Sequence, residues 1–242
     1  RDAQGNDSLQ EDLAEAYERT GDLEITTSPS QRGNRAPLEW FRKGHAIRIA
    51  AAQRHPGDVN RRRALVLSEV KLGDGLFLAG DMKEAIRQYQ AVLQMSAQLP
   101  GEPSRLSGVA LQRICNLLPI EGKTAESLSV CADSVRLLSP VLAASPEDQG
   151  LRYELALSHA NLGKALRGAG KADEAVEHLR KAVALNQAII RAEPANATAR
   201  SASGALGLHL ASALQNQKNF RAAAPAYADA ISAMRSAWEI DR

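Results

Sequence analysis

Glu121-Gly122-Lys123-Thr124 ends the way a phosphate-binding loop ends. Such a loop needs another glycine five residues before Gly122 and a strand leading in, so that backbone N–H groups can surround phosphate oxygens. The earlier position is Leu117 and no strand pattern precedes it, so nucleotide binding is not expected. Cys115 and Cys131 could bind a metal as thiolates, but a closed site takes about four ligands. No histidine or further cysteine is spaced to help. Two cysteines do not make a disulfide framework, and these are expected as two small buried thiols. His45, His55, His159, His178 and His209 form no His-x-x-x-His or Glu-x-x-His pair, and there is no Gly-x-Ser-x-Gly elbow. The chain is therefore not expected to be an enzyme, and no cofactor or metal is expected. Arg61-Arg62-Arg63 opens a helix, the wrong end for positive charge, and reads as a solvated face eased by Asp58. Thr26, Thr27, Ser28 and Ser30, near Arg32 and Arg35, read as a surface loop.

The 242 residues suffice for one large domain or two small ones. Apolar residues make up 44% but aromatics only 4%, so the core must be built from Leu, Ala, Val and Ile. Lys plus Arg is 30 and Asp plus Glu is 28, a net charge of +2 that gives no drive toward nucleic acid. No run approaches the roughly 18 apolar residues of a membrane span. With Arg1 in place of Met and no signal pattern, the chain is expected to be a piece of a longer protein.

One frame repeats five times. Taking Gly170 as origin, Leu162, Gly163 and Leu166 lie eight, seven and four residues before it. Ala175, Leu179 and Ala182 lie five, nine and twelve after, and Pro194 closes the unit. The same frame fits at Gly80, Gly122 and Lys218. At Gly21 it gives Leu13, Ala14 and Tyr17, then needs an 11-residue slip to reach Pro37, Phe41 and Gly44. Leu72, Ile114, Leu162 and Leu210 are spaced by 42, 48 and 48. Each half carries a helical apolar stripe such as Val176, Leu179, Val183 and Ile190. The turn glycine can end the first helix in a left-handed conformation. Small residues seven before it let two helices approach closely. Ser145-Pro146-Glu147-Asp148 reads as an N-cap, a first-turn proline and a first-turn acid. No single pair can bury its stripe alone, so the pairs must stack. The expected fold is a single all-α domain over 1–242, a right-handed α-solenoid of about five antiparallel helical hairpins. Their bounds fall near 8–56, 58–100, 104–144, 146–193 and 196–240, with an insertion loop near 24–36.

"LAEAYERTGD" (Leu13 to Asp22) and "LGKALRGAGKADEA" (Leu162 to Ala175) resemble the tetratricopeptide repeat, with second helices about two turns longer than usual. The resemblance covers nearly the whole chain and implies a protein-interaction module. It also implies that polar positions of each first helix line an inner groove. These are Asp12, Glu15 and Arg19, then Lys71, Asp74 and Phe77, then Gln112, Arg113 and Asn116. Asn161, Lys164 and Arg167 follow, and then His209, Ser212 and Gln215. Arg113, Lys164 and Arg167, with Asn116 and Asn161, would hold an acidic or extended peptide, the cations taking carboxylates and the amides its backbone.

"GNDSLQEDLAEAYERTGDL" (Gly5 to Leu23) and "RAEPANATAR" (Arg191 to Arg200) resemble the repeat array that follows the catalytic domain of bacterial eukaryotic-like serine/threonine kinases. That likeness implies a regulatory or partner-recruiting region; the alternative is a stand-alone scaffold or peptide-binding adaptor. Kinase motifs themselves are missing from these 242 residues. Placement in the cytoplasm is favoured, or outside it if a membrane span precedes the region in the parent. Trp238 and Ile240 give the last helix an apolar face, and self-association through that end is expected.

Overall fold

The computed structural model describes residues 3–27, 33–100 and 103–240, with side chains over 7–25, 33–100 and 105–236. The described residues form ten α-helices and no strand. They are α1 (Ala3–Thr27), α2 (Ala36–Arg54), α3 (Val59–Ala79), α4 (Met82–Ser96) and α5 (Pro103–Leu117). After these come α6 (Thr124–Ala144), α7 (Gln149–Gly168), α8 (Ala172–Ala192), α9 (Ala197–Asn216) and α10 (Phe220–Ile240). The chain divides into two compact units, Arg1–Arg113 and Ile114–Arg242. In the first, α1 packs on α2, α2 on α3 and α3 on α4. In the second, each of α6 to α9 packs on the helix that follows it.

Four hairpins close alike. Gly80, Gly122 and Gly170 have φ of 91°, 77° and 77°, and Lys218 has φ 60°. In each case the next residue's N–H reaches the carbonyl five residues back, at or just past the end of the preceding helix: Asp81 to Leu76, Lys123 to Leu118, Lys171 to Leu166 and Asn219 to Leu214. That 6→1 bond satisfies a carbonyl the helix end would otherwise leave bare, and it requires the left-handed residue. Between hairpins the cap is also shared. The side chains of Asp58, Asp148 and Asn196 accept N–H bonds from Asn60 and Arg61, from Leu151, and from Ala199. The cap of α7 is therefore Asp148 rather than Ser145, which instead ends α6. Proline two residues earlier leaves the short acceptor as the N-cap.

Gly21 is not a turn residue. It lies buried inside α1, and a Cβ there would fall 2.4 Å from Phe41 Cε1. Gly73 stands in the same relation to Tyr89, and Gly163 to Leu179, each at 2.5 Å. Gly21 thus fills the close-approach place of the repeat, and the first hairpin turns later, where Gly33 has φ 93° and donates to the Leu78 carbonyl at 2.8 Å. Residues 24–27, expected in a loop, are helical. Thr26, Thr27, Ser28, Ser30 and Arg32 lie outside the residues whose side chains are described; Arg35 stands 3.6 Å from Asp81. Trp238 and Ile240 likewise have no described side chain.

The third hairpin puts cysteines where the others put a small and a large residue. Cys115 and Cys131 are disulfide-bonded, Cα–Cα 5.1 Å, and are 2% and 1% exposed. The expectation of two free thiols is corrected: the place of closest helix approach brings the Cα atoms within disulfide range. Helix α6 has the length and mean hydropathy (21 residues, 1.3) of a membrane span. It buries only one face, through Ser127, Cys131, Ser134, Leu138 and Leu142, and pairs Asp133 with Arg136 at 2.9 Å on the other.

A buried polar contact marks four successive junctions between hairpins. His45 Nδ1 meets Ser68 at 2.8 Å, Ser96 meets Ser107 at 2.7 Å, and Ser134 meets Ser158 at 2.8 Å. Asn186 Nδ2 donates to Ser203 at 2.9 Å and to the Ala199 carbonyl at 2.8 Å.

Substituting the close-approach residue tests this packing. Gly163→Val should destabilise the fold by about 1–3 kcal/mol through overpacking against Leu179. Breaking the Cys115–Cys131 bond, which spans a sequence separation of 16, should cost about 3 kcal/mol. Urea unfolding of the variant, and of the wild type with and without reductant, checks both; unchanged midpoints would refute the assignment.

Candidate functional site

In the first unit the polar positions of the first helices are engaged with one another. Asp12 is exposed, and Glu15 pairs with Arg19 at 2.5 Å. Lys71 Nζ donates to both Asp22 oxygens at 2.6 and 2.7 Å and lies 5.7 Å from the Phe41 ring centre. Asp74 accepts from the Tyr89 hydroxyl at 2.6 Å and from Arg113 Nε at 3.0 Å. Arg113 also donates to Gln112, which is buried. Phe77 is half-buried. Arg61, one of the three consecutive arginines, is held by Asp7, Glu11 and Asp58.

The second unit differs. Lys164, on α7, meets only an amide: its Nζ donates to Asn116 Oδ1 at 3.3 Å. Burial pushes the Lys164 ammonium below its usual range. One turn on, Arg167 has a buried Nε–H with no hydrogen-bond partner. Neither makes an ion pair among the described residues. His209, on α9, is pushed down to about 4, first by burial and then by the charges of Lys164 and Arg167; it is neutral at pH 7. Ser212 lies 3.2 Å from the Tyr227 hydroxyl, which donates to Gln215 at 2.8 Å. Asn161 is buried on the same helix as Lys164. The second unit therefore brings Asn116, Lys164, Arg167 and His209 together as a cationic patch with no counter-ion among the described residues. The third cation of the expected groove, Arg113, belongs to the first unit and is held by Asp74.

Two buried histidine clusters were not foreseen. His45 Nε2 stands 3.4 Å from Glu69, whose carboxyl burial pushes up, and its Nδ1 bonds Ser68. Ser68 is 1% exposed and donates to the Leu65 carbonyl, so this row offers a substrate no nucleophile. His159 Nδ1 and His178 Nδ1 lie 2.9 Å apart, within hydrogen-bond distance. Burial, followed by the neighbouring His178, pushes His159 to about 4. No signal in the sequence joins residues 19 apart on two helices unless the hairpin frame is used.

A tetratricopeptide repeat model matches residues 155–190, within the α7–α8 hairpin. No curated protein sequence matches the chain. Among solved structures, it is similar to a Podosopora anserina protein of kinesin light chain type with nearly identical TPR-like repeats. That match has TM-score 0.58 and 17% identity, covering 99% of each chain. BtubC from P. vanneervenii is similar at TM-score 0.58 and 15% identity, covering 97% of this chain and 91% of that one. Bacillus thuringiensis PlcR, solved with the peptide PapR7 and DNA, is similar at TM-score 0.54 and 12% identity, covering 99% of this chain and 75% of that one. The fold is a tetratricopeptide-like α-solenoid fold.

The depressed histidines set a pH dependence. His159 and His209 sit at about 4 in the fold against 6.5 when free, so the unfolded chain takes up the proton first as pH falls. Stability is full above the free value and is lost toward pH 4, by about 1 kcal/mol per histidine at roughly pH 5.5. Denaturant unfolding at neutral and mildly acidic pH should show this loss, and His209→Gln should remove part of it. A flat profile would refute it.

Proposed function

We propose that this chain is a protein-interaction module whose second unit holds an acidic, extended peptide on Asn116, Lys164, Arg167, His209 and Ser212. The observation that carries this reading is the pair of cations, Lys164 and Arg167, with no carboxylate paired to them among the described residues and one buried N–H without an acceptor. A peptide carboxylate would supply the missing charge and acceptor, and the amides and Ser212 would take backbone groups. Asn161 would contribute at the edge. Lys71, Asp74, Gln112 and Arg113 belong to the first unit and are already engaged there: Lys71 with Asp22, Asp74 with Tyr89 and Arg113, and Gln112 with Arg113. PlcR, similar in fold, was solved in complex with a peptide, which agrees with the reading.

The likeness of Gly5–Leu23 and Arg191–Arg200 to kinase-linked arrays supports a parent in which this module recruits partners for a serine/threonine kinase. A catalytic domain encoded upstream of Arg1 is the result that reading requires; a stand-alone adaptor is the alternative. Self-association through α10 is also proposed, on the exposed Ile231 and Met234.

Fluorescence anisotropy against an array of acidic peptides should find ligands whose affinity falls with added salt. Lys164→Ala and Arg167→Ala should each weaken the best ligand by about tenfold, with the helical spectrum unchanged. Affinity insensitive to both substitutions would remove the ligand from this surface.

A further inference from the structure

We infer that the first unit carries a second, separate site, a pocket for a small carboxylate with a hydrocarbon tail. The pocket lies between α2, α3 and α4, with a cavity volume of about 360 Å³. Ile49, Ala52, Leu65, Val66, Met95 and Leu99 supply its apolar wall. The volume and the mostly apolar lining match sites that take small organic ligands, in which a few placed polar groups fix orientation.

Arg62 is the charged residue of that lining, which otherwise adds only the amides of Gln53 and Gln98 and the ring of Pro56. Its Nε is buried with no hydrogen-bond partner, and it makes no ion pair among the described residues. Its neighbour Arg61 behaves in the opposite way, with three carboxylates around it. The three-arginine run is therefore not uniformly a solvated face. A guanidinium bordering an apolar hollow, with no anion in the wall, favours a ligand that brings one. A carboxylate supplies acceptors to a planar donor group, and a hydrocarbon tail is what the remaining wall can take from water. A neutral apolar ligand would leave the guanidinium unanswered, and a dianion would carry more charge than one arginine meets. The pocket lies wholly within the first unit and does not depend on the peptide surface of the second.

Octanoate, monomeric at millimolar concentration, is the probe, with 1-octanol as its neutral counterpart. Isothermal titration of the whole chain should show saturable one-site binding of octanoate. Arg62→Gln should weaken it by about tenfold, and 1-octanol should bind more weakly by a similar factor. Ala52→Phe, which fills the hollow, should abolish binding with the Lys164–Arg167 surface intact. If that variant does not fold, the Arg62→Gln result and the acid–alcohol comparison still decide. The proposal falls if octanoate shows no saturable binding, if Arg62→Gln binds it equally well, or if 1-octanol binds as tightly.

Discussion

Each hairpin is built around one close contact between its two helices. In three of them a glycine of the first helix faces a large side chain of the second, and in the third hairpin a disulfide takes that place. Gly73 faces Tyr89 and Gly163 faces Leu179 with no room for a Cβ; Gly21 faces Phe41 in a longer hairpin. A chain poor in aromatics can make this arrangement because each glycine contact needs only one large residue, Phe41, Tyr89 or Leu179. Once that contact is set, the left-handed residue at the turn and the capping Asp or Asn follow as the means of closing and restarting helices.

Between hairpins the fold uses polarity where an apolar contact would serve. Ser134 and Ser158 are fully buried and bonded to each other, and Asn186, 1% exposed, reaches Ser203. A buried hydroxyl or amide that lost its partner in another register would cost free energy. Such contacts fix how far one hairpin slides along the next. The concentration of small residues that makes hairpins narrow also lets these short polar side chains meet.

Much of this was readable in advance, because spacing is a property of the chain. Gly80, Gly122, Gly170 and even Lys218 stand where the frame put them. The frame failed at Gly21 because a glycine has two uses, positive φ and absent Cβ, and sequence does not say which. It failed at Cys115 and Cys131 for a related reason. The frame paired their positions, but only three-dimensional distance distinguishes two thiols from one bond. In the candidate site, Lys164 and Arg167 were legible as polar positions of a first helix. That Arg113 is occupied by Asp74, that Arg62 borders a hollow, and that His159 meets His178 depend on side-chain directions that no periodicity encodes.

The disulfide of the third hairpin also changes how the chain would bear load. In a non-covalent hairpin, tension along the backbone can peel the two helices apart and feed slack into the extended chain. Across the third hairpin a pull would pass from α5 to α6 through sulfur, bypassing the turn between Cys115 and Cys131. Those intervening residues would carry no force and release no length, making this hairpin the least extensible link in the array.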